Sequence, residues 1–181
     1  MIAAMKYLLT VAAIILTQTA CNRNSEAPVA APTGSTASSP AVQYSRGEVT
    51  RPADLPKELL ASTSCSIDRV NNAPRQAENK VDDKSKIQLN GWAANLATTT
   101  PPGPLTIELD GPSQVFVTAQ RSIKRADVAD AHHNPLLVDA GWEAHIDLSG
   151  AAPGKYRVRL LESLGAGSTA CDPSLFLDVP S

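Results

Sequence analysis

The sequence predicts an all-β fold: an antiparallel sandwich of about seven strands with one short helix, placed after a signal peptide and a linker. Two observations lead to this prediction. Apolar and polar residues alternate with period two along short segments of residues 64–181, and stretches rich in proline and glycine separate these segments. The preceding residues lack that alternation and differ in composition, so the chain divides into residues 1–20, 21–63 and 64–181.

The N-terminus has the features of a signal peptide. Lys6 precedes an apolar run over residues 7–16, about ten residues long, which fits a signal-peptide core and is shorter than the roughly 20 residues that cross a bilayer. Small residues, Thr19 and Ala20, stand just before Cys21. The sequence therefore predicts export from the cytoplasm.

The segment TQTACN, residues 17–22, resembles the lipobox of bacterial lipoproteins, in which a peptidase cuts before a cysteine whose thiol carries diacylglycerol. It departs from that pattern at Gln18, where an apolar residue is usual. The resemblance implies that Cys21 becomes the acylated first residue of the mature chain and binds the lipid bilayer. Asn22 follows it in place of aspartate, which implies the outer membrane of a bacterial cell envelope. Two alternatives stay open: an ordinary signal peptide that leaves Cys21 free, and an uncleaved anchor.

Residues 21–63 are predicted to form a linker. They are rich in Ala, Pro, Ser and Thr and contain few large apolar residues, so they bury too little surface to offset the entropy cost of ordering. Within PADLPKELLAS a short helix is expected over residues 56–61, because Pro56 suits a first helical turn.

The charge balance argues against a nucleic-acid partner. Removing residues 1–20 removes Lys6, one of the 16 basic residues, and none of the 18 acidic ones, which leaves a formal charge of −3. Such a chain lacks the excess positive charge that binds phosphate backbones.

The candidate strands follow one another through the third segment. In chain order they are CSIDRV (65–70), KIQLNGWA (86–93), LTIELD (105–110), QVFVTAQ (114–120), GWEAHIDL (141–148), KYRVRLLE (155–162) and SLFLDV (174–179). Between them lie turn-forming stretches such as TTTPPGP, DGPS and SGAAPG. The exception is RADVADA, residues 125–131, which predicts one or two helical turns in the connection between the fourth and fifth strands.

Alternation also assigns the two faces of each strand, one to the core and the other to water. Residues assigned to the inner face are Ile107, Leu109, Trp142, Ala144, Ile146, Leu148, Tyr156, Val158 and Leu160. Residues assigned to the outer face are Glu108, Asp110, Glu143, His145, Asp147, Lys155, Arg157 and Arg159. The basic ladder from 155 to 159 is expected to be balanced across a hairpin by Glu143 and Asp147. Binding of an anionic polymer to that ladder is the alternative.

Two cysteines remain once Cys21 is assigned to lipidation. Cys65 and Cys171 both have inner-face parity, in the first strand and near the last one. In an exported chain an even pair predicts a disulfide, and this one closes a loop of roughly 100 residues, worth about 4–5 kcal/mol in the chain-entropy model. Two buried free thiols are the alternative.

The series CSID, LNGWA, RSIKRADVADAHHNP, DAGWEAHIDLSGAAPGKYRVRLL and ACDPSLFLDV resembles an immunoglobulin-like β-sandwich that occurs as an accessory domain of bacterial envelope proteins. The resemblance covers nearly all of residues 64–179. It implies an immunoglobulin-like fold in an extracytoplasmic setting and a non-catalytic appendage. Separately, we expect an envelope protein or an envelope glycan as partner.

Three residues stand out as candidates for a local role. Arg125 and Asp127 are expected to pair and to fix the connection between the fourth and fifth strands, with ligand binding as the alternative. Trp92 has outer-face parity, unless Gly91 marks a bulge. There its ring is expected either to form a platform for a sugar ring or to cover a neighbouring loop.

Catalytic and metal sites have weak signals. Asp127, Asp130, His132 and His133 are close in sequence, but adjacent histidines in a loop converge poorly on one ion and no second pair has zinc-site spacing. No G-x-S-x-G motif occurs. We therefore expect no cofactor, no metal and no enzymatic activity, and a hydrolase with a site built from loops is the alternative from another class.

Overall fold

The computed structural model describes residues 41–62, 64–96 and 100–181. The predicted signal peptide, Cys21 and the first half of the predicted linker lie outside the described residues.

The described chain is mostly β-structure with one short α-helix. The strands are β1 (Ser45–Arg46), β2 (Leu60–Ser62), β3 (Cys65–Val70), β4 (Ala73–Pro74), β5 (Glu78–Lys80), β6 (Ile87–Ala93), β7 (Leu105–Asp110), β8 (Gln114–Ile123), β9 (Gly141–Asp147), β10 (Gly154–Glu162), β11 (Thr169–Cys171) and β12 (Phe176–Val179). The helix α1 spans Ala126–Ala131, and two short 3₁₀ helices span Pro135–Asp139 and Gly165–Gly167. Each of the seven predicted segments contains a strand, and the predicted helical turns form α1. The short strands β1, β2, β4, β5 and β11 were not predicted.

The strands form one mixed sheet that curls on itself. Its order is β2-β11-β10-β7-β8-β9-β6-β3-β4, and β1, β5 and β12 pair beside this path. The strand β8 joins the two halves, because it pairs with β7 over residues 114–119 and with β9 at residues 120 and 123. The prediction of a purely antiparallel arrangement is wrong for three short pairs, β1 with β9, β2 with β11 and β5 with β12, which are parallel.

The core lies inside the curl, where predicted. All nine residues assigned to the inner face are buried, and Trp142 and Tyr156 have no exposed surface. The disulfide Cys65–Cys171 is present and links β3 to β11 with a Cα–Cα distance of 6.3 Å. It therefore connects the two halves of the curled sheet.

The expected charge pairing across a β9–β10 hairpin is wrong. The strand β9 pairs with β6, β8 and β1, while β10 pairs with β7, β11 and β12, so the chain crosses between the two halves after β9. The basic ladder instead pairs with acids on its own half of the sheet. These pairs are Lys155 with Glu78, Arg157 with Asp172 and Arg159 with Glu108.

Residues 44–62 differ from the predicted linker and lie against the sheet; we call them the strap. Residues 56–61 are not helical, and the chain instead enters β2 at Leu60. Leu55 is buried against Phe116 and Leu161. These two residues alternate with core residues along β8 and β10, so they face outward from the sheet and need apolar cover. The strap packs against the sheet because Leu55 covers these two apolar side chains, a requirement that the composition of the strap does not reveal.

No α-helix among the described residues combines the length and the apolar character required to cross a membrane.

Candidate functional site

The connection between β8 and β9 holds most of the residues that the sequence singled out. Its helix α1 ends at Ala131 with His132 as the C-cap, and His133 adopts a left-handed conformation with φ 51°. The 3₁₀ helix that follows is capped by Asn134, whose Oδ1 accepts a 3.1 Å hydrogen bond from the Leu136 backbone N–H. Pro135 then begins this helix, where its fixed φ and missing N–H are favourable. Local sequence signals therefore shape the connection.

Arg125 anchors the connection to the sheet. Its Nε and Nη2 donate to the two carboxylate oxygens of Asp127 at 2.9 and 2.7 Å, and its Nη1 donates to Asp68 Oδ2 at 2.7 Å. Asp68 lies at the β-bulge of β3, opposite β6. The predicted pair between Arg125 and Asp127 is therefore present, and it extends to a third residue on the sheet that the sequence did not identify.

The pairing of Arg125 with Asp127 shifts the pKa of both groups. The Arg125 hydrogen bonds lower the pKa of the Asp127 carboxyl to about 2. The same bonds raise the pKa of the Arg125 guanidinium above its usual value. Because the Arg125 side chain is 16% exposed, the pair is partly shielded from solvent.

Trp92 packs against the same connection. Its parity is as predicted: it follows Gln88 and Asn90 on the outer face of β6, and the bulge lies on β3. Gly91 is required because a Cβ there would lie 2.0 Å from the Ser66 carbonyl oxygen. The half-buried indole contacts a small apolar cluster, Ala94, Val128, Ala129, Leu137 and Ala140. Of the two expected roles, the geometry favours covering a neighbouring loop.

The Trp92 ring also contacts a histidine. The ring centroids of Trp92 and His132 are 5.9 Å apart and the planes are inclined at 54°. This tilted contact places His132 beside the indole and restricts the space in which a sugar ring could stack.

A buried ion pair closes one end of the core. Arg121 Nη2 lies 3.2 Å from Glu162 Oε1, which also accepts a 2.9 Å hydrogen bond from the Gly103 N–H. Arg121 further donates to the carbonyls of Ala93, Gly103 and Ala140 at 2.7, 3.1 and 2.6 Å. Burial raises the pKa of Glu162, in part offset by Arg121, and lowers the pKa of Arg121. The sequence carried one signal for this pair: both residues have inner-face parity at strand ends.

A second acid is buried on the outer face, where exposure was expected. Glu108 is 1% exposed. It accepts a 2.5 Å hydrogen bond from Gln114 Nε2 and lies 2.9 Å from Arg159 Nη1. Its neighbours across the ladder are Phe116 on β8 and Arg159 on β10. The expectation that this whole face is wet is wrong at Glu108, because a large aromatic and a paired arginine flank it.

The described residues contain no group of three or more His, Cys, Asp or Glu side chains arranged to hold a metal ion. A surface cleft of about 460 Å³ is lined by residues of the strap together with Val115, Asp147, Leu148, Gly150 and Ala151. No histidine lines this cleft. His145 instead makes an edge-to-face contact with Tyr44, at 5.5 Å between ring centroids. The charged residues that line the cleft are Arg46, Glu48 and Asp147.

Comparison with known proteins finds no matching family model, no matching curated protein and no matching solved structure.

Proposed function

We propose that this protein is a lipoprotein of the bacterial cell envelope, anchored in the outer membrane through acylated Cys21. The β-domain would have a non-catalytic binding or structural role. The observation that carries the proposal is the use of the three cysteines: Cys65 and Cys171 are joined, and Cys21 alone remains, directly after an apolar, signal-like segment.

The disulfide supports an extracytoplasmic location. Disulfides persist in oxidising compartments, of which the bacterial periplasm is one, and are rare where thiols are kept reduced. This bond closes a long loop and connects opposite halves of the sheet. A domain closed by such a bond is expected in the periplasm, where an exported chain would fold.

The immunoglobulin-like reading of the domain is part of the proposal. Two observations support it: the curled sheet has two halves around one apolar core, and one long strand, β8, belongs to both halves. The motifs that carry the resemblance lie in regular secondary structure. LNGWA lies in β6, RADV spans the start of α1 and GWEAHID forms β9.

A non-catalytic role agrees with the contacts of the histidines. In the described part of the chain, no histidine side chain forms a hydrogen bond with a hydroxyl or carboxylate group. His132 makes a ring contact with Trp92, and His145 makes one with Tyr44. The hydrolase alternative therefore has little support. Glycan binding at Trp92 is also less supported, because the indole is half-buried against the connection.

Acylation at Cys21 tests the anchor. We expect the full-length protein to incorporate labelled fatty acid in its producing cell, and the Cys21→Ser variant to incorporate none and to keep its signal segment. A double variant, Cys65→Ser with Cys171→Ser, is the matched control: it removes two cysteines but keeps Cys21, so it should still be labelled. A Cys21→Ser variant labelled as strongly as the parent protein would contradict the proposal.

A further inference from the structure

The strap, residues 44–62, has fewer buried contacts than the long strands of the sheet on which it lies. Leu55 is its single buried side chain, at 5% exposure, and none of the described strap residues belongs to the central core. The strap's two strands, β1 and β2, contain two and three residues. Short parallel pairings of this kind open more readily than the long antiparallel strands beneath them.

The contacts of the strap fall into two groups. The first is formed by residues 44–48: the Tyr44 ring contacts His145, the Gly47 N–H donates to the Asp147 carbonyl at 3.0 Å, and Glu48 exchanges backbone hydrogen bonds of 2.9 and 2.8 Å with Phe116. The second is formed by Leu55 and by β2, where the Leu60 N–H donates to Ser168 at 3.0 Å. Leu55 is thus the strap's one buried side-chain attachment, beside the half-buried Tyr44 and Leu59.

The disulfide limits how much of the N-terminal chain can detach from the sheet. Cys65 follows the strap almost directly and is bonded to Cys171, 106 residues further along the chain. Tension that enters from the N-terminal side therefore acts on the strap first and then passes through the disulfide. While the bond is intact, the loop between the two cysteines cannot lengthen the path.

We infer that the strap is a releasable extension of the tether, with the Cys65–Cys171 disulfide as its end stop. This rests on the proposed anchoring through Cys21. With the strap docked, residues 22–43 span at most roughly 75 Å, and with the strap released, residues 22–64 span at most roughly 145 Å. Release would about double the distance from the membrane at which the domain can hold a partner.

The apolar cover explains why the docked state prevails without load. Release of Leu55 exposes Phe116 and Leu161, which are otherwise 2% and 0% exposed. Exposing this apolar surface to water is unfavourable, so the strap returns when tension is removed.

Hydrogen exchange of the full chain, with its disulfide intact, tests the weaker attachment. We expect strap amides to exchange at least about tenfold faster than amides of β7 and β10. Leu55→Ala should accelerate exchange in the strap by a further factor of about ten while leaving β7 and β10 unchanged. Leu60→Ala is the matched control, because Leu60 lies in the same strap but is 59% exposed; it should change little. Equal exchange of strap and sheet, or equal acceleration of both by Leu55→Ala, would overturn the inference.

Single-molecule stretching tests the end stop without any lipid. With handles at residue 21 and at the C-terminus, the oxidised chain should give a reversible low-force step of at most roughly 75 Å, the length of residues 44–64. Leu55→Ala should lower the force of this step and Leu60→Ala should not. Opening of the strap and the sheet in a single step would overturn the inference. The two proposals can fail separately. If the natural protein carries no acyl chain but the step is still observed, the membrane anchor is refuted and the inference of a releasable strap stands.

Discussion

At the residue scale, the clearest feature is the triad of Arg125, Asp127 and Asp68. Two local residues pair in a planar, bidentate geometry, and the third carboxylate ties them to the sheet. The side chains of Asp127 and Asp68 are partly exposed, so the triad orients the connection more than it stabilises the whole fold.

The titration of Asp127 is the first prediction. Its carboxyl should titrate in the folded protein at about 2, because Arg125 holds the ionised form. Since the folded pKa is below the unfolded value of about 4, the stabilisation is present above about pH 4 and is lost as pH falls through 2. Carboxyl ¹³C NMR measures the midpoint. Arg125→Lys, which cannot pair bidentately, should move it toward 4, and an ordinary midpoint in the parent protein would contradict the triad.

The pair of Arg121 and Glu162 gives the second prediction. Arg121→Met should destabilise the protein by about 3–5 kcal/mol, because it leaves a buried carboxylate and three carbonyl groups without their donor. Arg157→Met is the matched control: Arg157 is 52% exposed, so loss of its pair with Asp172 should cost less than about 1 kcal/mol. Urea unfolding measures both. Equal costs would show that burial of the first pair has little energetic consequence.

At the element scale, the β3–β4 hairpin shows how a short turn is specified. Two residues, Asn71 and Asn72, join the strands, and both have positive φ, 49° and 65°. These angles match a type I′ turn, whose twist suits a hairpin. Asparagine tolerates the left-handed region and glycine adopts it freely.

The third prediction concerns that turn. Asn72→Gly should be neutral or raise stability slightly, whereas Asn72→Ala should lower it by about 1 kcal/mol because a Cβ strains the left-handed conformation. Thermal unfolding of the two variants measures the difference. If both variants unfolded at the same temperature, the turn conformation would not be as described.

The elements that could be predicted are those with enough residues to show a period. The strands β6, β7 and β10 alternate over six or more residues and were located closely. The strands β1 and β2 are too short to show alternation, and their composition is that of a linker. Their pairing depends on the outward-facing Phe116 and Leu161, which the strap covers. That requirement is tertiary and is invisible in the local sequence.

The same distinction separates the predicted site residues from those that were missed. Arg125 and Asp127 are two positions apart, so their pairing could be expected from sequence. Arg121 and Glu162 are 41 positions apart and meet only because β8 and β10 end at the same edge of the core. Trp92 had the predicted parity, but the cluster that covers it comes from the connection after β8.

At the scale of the whole molecule, the disulfide is the main covalent constraint on the curled sheet. Replacing both Cys65 and Cys171 by alanine should cost about 4–5 kcal/mol in urea unfolding, by removing a constraint on the unfolded chain. Cys21→Ala is the control and should leave the stability of the domain unchanged. A cost below about 1 kcal/mol would show that the apolar core alone fixes the two halves.

The account that we propose combines a membrane anchor at Cys21 and a tether that ends in the strap with the observed disulfide-closed β-domain. The most direct test is the intact mass of the protein extracted from membranes, before and after reduction, beside the Cys21→Ser variant. The account predicts a chain that begins at Cys21 with the mass of three acyl chains and their glycerol, a gain of two hydrogens on reduction, and no acyl mass in the variant. An unacylated chain cut at another position would contradict it.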